Sequence, residues 1–147
     1  MTLTPRAQTR VLIVDDDEGI RETLRDVLLE EGFIVEVVAD GHTALRFLQE
    51  TPYSTIVLLD HLMPTMDGIE VLQEVAKDDA DLSTRHVYLL VTASAKLQQL
   101  ETSISALAPL IVPIIPKPLS VDGLIEAVQQ VALRLPPEAD DGAETLL

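Results

Sequence analysis

Five short apolar runs, Val11–Val14, Phe33–Val38, Ile56–Leu59, Val87–Val91 and Leu110–Ile115, alternate along the chain with segments whose apolar residues recur at helical spacing. Short, nearly continuous apolar runs suit strands that are covered on both faces. Between and after them, Ile20, Leu24, Val27 and Leu28 share one helical face, as do Ala44, Leu45 and Leu48, then Ile69, Leu72 and Val75, and finally Leu124, Ile125, Val128 and Val131. Ser94 to Leu107 reads as a further helix. Five strands alternating with five helices predict an α/β fold: a doubly wound five-stranded parallel sheet joined by right-handed crossovers. Hydrophobic residues make up 47% of the chain but aromatics only 3%, so the core must be built from Val, Leu, Ile and Ala, as such a sheet requires.

The punctuation fits this alternation. Asp17 and Ser120 are placed to cap helices, Gly32 to end one, and Asp40-Gly41 to turn the second strand into its helix. Lys77 to Arg85 reads as a polar, charged connection. Pro113 and Pro116 sit in or against the fifth run, and proline cannot donate to a ladder, so that strand is expected at a sheet edge.

A chain of 147 residues accommodates one such domain, expected over 10–134, with a flexible segment at 1–9 and an acidic tail at 135–147 that opens on Leu135-Pro136-Pro137. The tail ends in Leu146-Leu147, an apolar tip that could serve for docking. Absence of cysteine excludes disulfides and thiolate metal sites. Met1 to Gln8 lacks the apolar core of a signal peptide, and no run approaches the roughly 18 apolar residues of a spanning helix. We therefore expect a cytoplasmic protein with no membrane insertion. A formal net charge of −15 repels phosphate backbones, which argues against direct nucleic-acid binding and for output through another protein.

Open parallel sheets bind ligands beyond the carboxyl ends of their strands. Asp15, Asp16, Asp60, Thr92 and Lys117 each end or follow one of the apolar runs, although about a hundred residues separate the first from the last. Singly, each has an ordinary explanation: a capping and turn cluster, a turn residue before Pro64, a β-branched strand end, a solvated lysine. Their joint placement carries the inference. Gathered carboxylates repel one another, and a hard divalent cation neutralises them; oxygen ligands alone favour Mg²⁺ over zinc or copper. Phosphoryl transfer to a carboxylate needs an oxygen nucleophile, a metal and donors for the equatorial oxygens. Asp60, alone at the end of the central strand and facing the acidic cluster, is the nucleophile; Thr92 and Lys117 are the donors.

Taken together, Val11-Leu-Ile-Val-Asp-Asp-Asp17, Leu58-Leu-Asp60-His-Leu-Met-Pro64, Met66-Asp-Gly68, Val91-Thr-Ala93 and Pro116-Lys-Pro118 resemble the motifs of response-regulator receiver domains, in order and near their spacing, over about Arg10 to Leu133. The resemblance implies a flavodoxin-like sheet of order 2-1-3-4-5. It implies that Asp60 is the phosphoacceptor, that Asp16 and Asp60 bind Mg²⁺ directly and Asp15 mainly through metal-bound water. The backbone carbonyl of Leu62 would complete the shell, and the Leu62 and Ala93 amides would meet phosphoryl oxygens. A cis Lys117-Pro118 peptide and a turn-permitting Gly68 are implied as well. As partners it implies a sensor histidine kinase or histidine phosphotransfer protein, recognised around Gly19, Arg21, Glu22 and Arg25 and the loop after Lys117, and an unidentified downstream protein.

Two departures stand out. Three residues before the lysine, where receivers usually carry an aromatic residue, stands Ile114, and the segment from Thr92 to Lys117 is long and lacks the usual glycine. Those changes favour an alternative, an interaction module that signals without phosphorylation, which the intact acidic site opposes. A haloacid-dehalogenase-like phosphohydrolase, another alternative, would need Thr or Val where Gly19 stands. His42, His61 and His86 have no partners at recognisable spacing and are expected at surface or boundary positions.

Overall fold

The structure, a computed structural model, describes residues 9–77 and 81–136; the readings of the first eight residues and of the tail from 137 lie outside them. The elements follow in the order β1 (Arg10–Val14), α1 (Glu18–Glu30), β2 (Ile34–Val38), α2 (Gly41–Glu50), β3 (Thr55–Asp60), α3 (Gly68–Lys77), α4 (Asp81–Arg85), β4 (Val87–Thr92), α5 (Leu97–Ser105), β5 (Ile114–Pro116) and α6 (Val121–Ala132). Among the described residues all four strand pairings are parallel and the sheet order is β2-β1-β3-β4-β5, as the motif resemblance implied.

The period-two alternation of strand side chains divides the core into two layers. Leu12, Val14, Val57, Leu59, Tyr88 and Leu90 face Ala44 and Leu48 of α2 and Val71, Leu72 and Val75 of α3. Their neighbours Val11, Ile13, Ile56, Leu58, Leu89 and Val91 face Leu28 of α1 and Leu124, Val128 and Val131 of α6. Every residue of β3 is buried, which is why its sequence shows no polar alternation before Asp60.

Local signals act where expected. Asp17, Asp40 and Ser120 accept from the amides of Ile20, Thr43 and Gly123 and so cap α1, α2 and α6. Gly32 has φ +96°, a conformation that favours glycine, and it ends the turn after α1. Lys117-Pro118 is cis, and so is Ala108-Pro109.

Three expectations need correction. Rather than an unstructured connection, residues 81–85 form a short helix, closed by an Arg85 Nε–Asp81 Oδ1 ion pair at 3.1 Å, with Leu82 fully buried beneath it. That makes six helices among the described residues where five were expected. The helix read from Ser94 starts only at Leu97: Thr92 Oγ1 accepts from Ser94 N, and Ser94 Oγ accepts from Lys96 N, and these local turns compete with helical bonding. The fifth strand spans Ile114–Pro116 rather than Leu110–Ile115. Leu110 and Val112 still bury themselves in the core, and Pro113, which has no N–H, contributes its carbonyl to Leu90 N at 3.0 Å. The strand does lie at the sheet edge.

Candidate functional site

Parallel register brings the strand ends together. Val14 pairs with Leu59, Asp60 with Val91, and Thr92 with Pro116, so the residues that end or follow β1, β3, β4 and β5 surround one end of the sheet. Asp15 and Asp16 leave β1, Asp60 closes β3, and each offers a carboxylate oxygen within 4.8 Å of the others. Lys117 reaches across from the loop after β5 and donates from Nζ to Asp60 Oδ1 at 3.0 Å.

The carboxylates differ in setting. Asp15 and Asp60 are buried, while Asp16 is exposed. Burial raises the pKa of Asp15 above its ordinary value; the Asp17 amide that donates to it opposes this, and the charge of Asp60 adds to it. Asp60 is likewise raised by burial, against the pull of Lys117 and with the charge of Asp16 adding to the rise. Two buried carboxyls whose ionised forms are disfavoured, joined by a third within reach, make a donor set that a divalent cation fits: all ligands are oxygens, and the added positive charge relieves the strain that burial creates.

The surrounding backbone holds Asp60 in place. His61 N donates to Val91 O at 2.9 Å, and Gly68 N donates to His61 O at 2.8 Å, folding the loop back onto the strand end. A Cβ on Gly68 would stand 2.6 Å from Asp60 O and 2.8 Å from Leu90 Cδ1, so close approach explains this glycine. At the start of α3, Asp67 and Glu70 form a reciprocal capping box, each side chain accepting from the other's amide at 2.9 Å. Asp15 O accepts from Arg21 Nη1 at 2.8 Å, tying α1 to the acidic loop.

Beside the carboxylates lies a cleft of about 440 Å³ between α1 and the Lys117 loop, with Ile20, Leu24, Pro118 and Leu119 among its apolar walls and Asp15, Asp60 and Lys117 at its polar end. Ala93 lines it too, while the Leu62 side chain is 63% exposed.

Thr92 is buried at the end of β4, but its hydroxyl lies 2.8 Å from His61 Nδ1 and accepts from Ser94 N at 3.0 Å. Sequence reasoning placed His61 at a surface or boundary position, and it is half-buried, but this partnership across 31 positions was missed. His42 is exposed, as expected. His86 is not: it is 2% exposed, contrary to the surface or boundary placement. Its Nδ1 accepts from Thr55 N at 3.1 Å and its Nε2 lies 3.2 Å from Leu48 O, so both ring nitrogens are satisfied and burial is tolerated.

Among known proteins, a family model described as the response regulator receiver domain matches residues 11–129. Response regulator MprA of Mycolicibacterium vanbaalenii is 33% identical over 134 residues, covering 91% of this chain and 54% of that protein. The Mycobacterium tuberculosis protein of the same name is 32% identical over 137 residues, covering 93% and 55%. The chain thus spans about half the length of the curated relatives it matches. Among solved structures, response regulator TrrA of Thermotoga maritima, in complex with Mg²⁺-BeF, superposes with a TM-score of 0.68 at 32% identity, covering 84% of this chain and 98% of that one. Chemotaxis protein CheY4 of Vibrio cholerae gives 0.74 at 26% identity, covering 85% and 99%.

Proposed function

The chain belongs to the response regulator receiver domain family, and from that premise we propose that it accepts a phosphoryl group on Asp60 from a sensor histidine kinase or a histidine phosphotransfer protein. One observation carries the assignment: Asp60 is buried, within 4.8 Å of the Asp15 and Asp16 carboxylates, and paired to Lys117 at 3.0 Å. Family membership implies a kinase or phosphotransfer partner.

An Asp60 carboxylate oxygen attacks phosphorus in line with the donor's P–N bond; that bond breaks, the electron pair returns to the donor imidazole, and an acyl phosphate forms. Lys117 holds Asp60 before transfer and is placed to take a phosphoryl oxygen afterwards. The Leu62 and Ala93 amides and the Thr92 hydroxyl are the further donors. Asp15, Asp16, Asp60 and the Leu62 carbonyl would hold Mg²⁺. When bound, that ion supplies charge neutralisation for the phosphoryl oxygens. A cytoplasmic location accords with this chemistry, and no helix among the described residues is long and apolar enough to cross a membrane. Output goes to a downstream protein.

The test is intact mass after incubation with acetyl phosphate. One phosphate should add to the wild type with Mg²⁺, and none to Asp60→Asn or in EDTA. Equal labelling of Asp60→Asn would place the acceptor elsewhere and refute the assignment.

A further inference from the structure

A threonine hydroxyl has one proton to give and two lone pairs to receive. At Thr92 one lone pair already accepts from Ser94 N at 3.0 Å. The other close partner is His61 Nδ1 at 2.8 Å, so the proton points to His61 when the imidazole carries its own proton on Nε2. In the function proposed above, Thr92 must give that same proton to the phosphoryl group.

We propose that His61 is a positioning residue that holds the Thr92 hydroxyl proton in the unphosphorylated protein, so that the phosphorylated conformation forms only by moving this proton's hydrogen bond from His61 Nδ1 to a phosphoryl oxygen. The inference rests on the reading of Asp60 as acceptor and of Thr92 as a donor to its phosphoryl group. No covalent bond changes in this step: the O–H stays on Thr92, and only its acceptor is exchanged.

The geometry supports a built contact. His61 is pinned from both sides of its backbone, by its own N–H to Val91 O at 2.9 Å and by Gly68 N to its carbonyl at 2.8 Å. Asp60, the last residue of β3, pairs with Val91 in the register, which sets the following residues, His61 and Thr92, side by side. On the other flank of β4 the facing residues are Ile114, Ile115 and Pro116, whose side chains offer no hydrogen-bond donor or acceptor. The Thr92 backbone carbonyl accepts from Lys117 N at 2.7 Å, but the polar partners of its hydroxyl come from the β3 side and from its own loop. With Ile114 in place of an aromatic residue, the resting direction of the Thr92 hydroxyl proton is set by His61.

His61 then opposes the active state by one hydrogen bond, whose loss or gain corresponds to roughly a 2- to 10-fold change in an equilibrium constant. The experiment measures equilibrium binding of beryllofluoride in the presence of Mg²⁺ to the full chain at one fixed pH, with melting temperatures recorded for every variant. His61→Leu, which removes the acceptor, should tighten binding roughly 2- to 10-fold. His61→Asn, whose Oδ1 can receive the same proton, should return affinity toward the wild type. In a Thr92→Ala background, His61→Leu should change nothing. His61→Phe serves in the same comparison should His61→Leu not fold. Weaker or unchanged binding by the variant lacking the acceptor would overturn the inference, since weakening would mean that His61 orients Thr92 toward the phosphoryl group. So would equal tightening in the Thr92→Ala background, because the effect would not pass through the hydroxyl. Binding that depends on Asp60 but ignores His61 overturns this inference alone, whereas wild-type binding that does not depend on Asp60 overturns the proposed function with it.

Discussion

Replacing His86 should change how the fold responds to acid. The imidazole is buried, and burial lowers its pKa from 6.5 to about 4, outweighing the Leu48 carbonyl, which favours the charged form. Protonation would also remove the lone pair with which Nδ1 accepts from Thr55 N. As pH falls below 6.5 the unfolded chain takes up a proton that the folded chain refuses until about 4. His86 therefore contributes its full share of stability above 6.5 and loses it progressively as pH falls toward 4. At about 1.4 kcal/mol per pH unit, that interval amounts to about 3 kcal/mol, a large part of a typical domain's stability. Urea unfolding of wild type and His86→Asn between pH 8 and 4.5 provides the measurement. Asn keeps an acceptor for the Thr55 amide but cannot reach Leu48, so the variant should be less stable at pH 8 by about 1 to 3 kcal/mol. The gap should then shrink by about 2 to 3 kcal/mol on going to pH 4.5, since only the wild type carries the histidine penalty. Asp15 and Asp60 titrate in both proteins and cancel in the difference. A gap that stays constant across this range would refute the assignment of a neutral, buried His86.

Asp60→Asn in metal-free buffer should unfold at higher temperature than the wild type near neutral pH: a carboxyl with raised pKa stabilises the fold fully only below its ordinary value and loses that contribution as pH rises. Adding Mg²⁺ should raise the wild-type melting temperature and leave the variant nearly unmoved, and equal shifts would argue against Asp60 as a ligand. Leu62→Asn should speed loss of phosphate from the acyl phosphate by roughly 5- to 150-fold, because a polar side chain two residues after the acceptor can orient the attacking water that leucine cannot; equal or slower decay would assign the phosphate lifetime to another group. With Ile114 in place of an aromatic residue, phosphorylation should alter amide exchange more over Ala93 to Gln99 than around Ile114, and the reverse pattern would relocate the output surface.

The alternation of apolar runs with helical spacing determined the layer order, and the motif resemblance carried the strand order, because burial on both faces leaves a parallel strand little freedom in composition. Asp15, Asp16, Asp60 and Lys117 were legible for the same reason: a parallel sheet gathers its strand ends, so residues distant in sequence but alike in position must meet. Caps at Asp17 and Ser120 were also readable, since their partners lie three residues away, and Asp40, read as a turn residue, caps its helix in the same way. Other features depend on contacts that no local pattern encodes. His86 is satisfied by Thr55 and Leu48, 31 and 38 positions away, and an isolated histidine carries no sign of either. Arg85 likewise ends its reach on the carbonyls of Thr51 and Leu48, which gives the short helix before β4 an anchor invisible in its own charged sequence. Leu110 and Val112 read as strand because burial alone was legible; the ladder positions left by the neighbouring prolines decided that they bury without pairing. Thr92 was read from sequence as a donor to phosphoryl oxygens, but that its hydroxyl also lies 2.8 Å from His61 Nδ1 depends on the pairing of two strands distant in sequence, which no local pattern encodes.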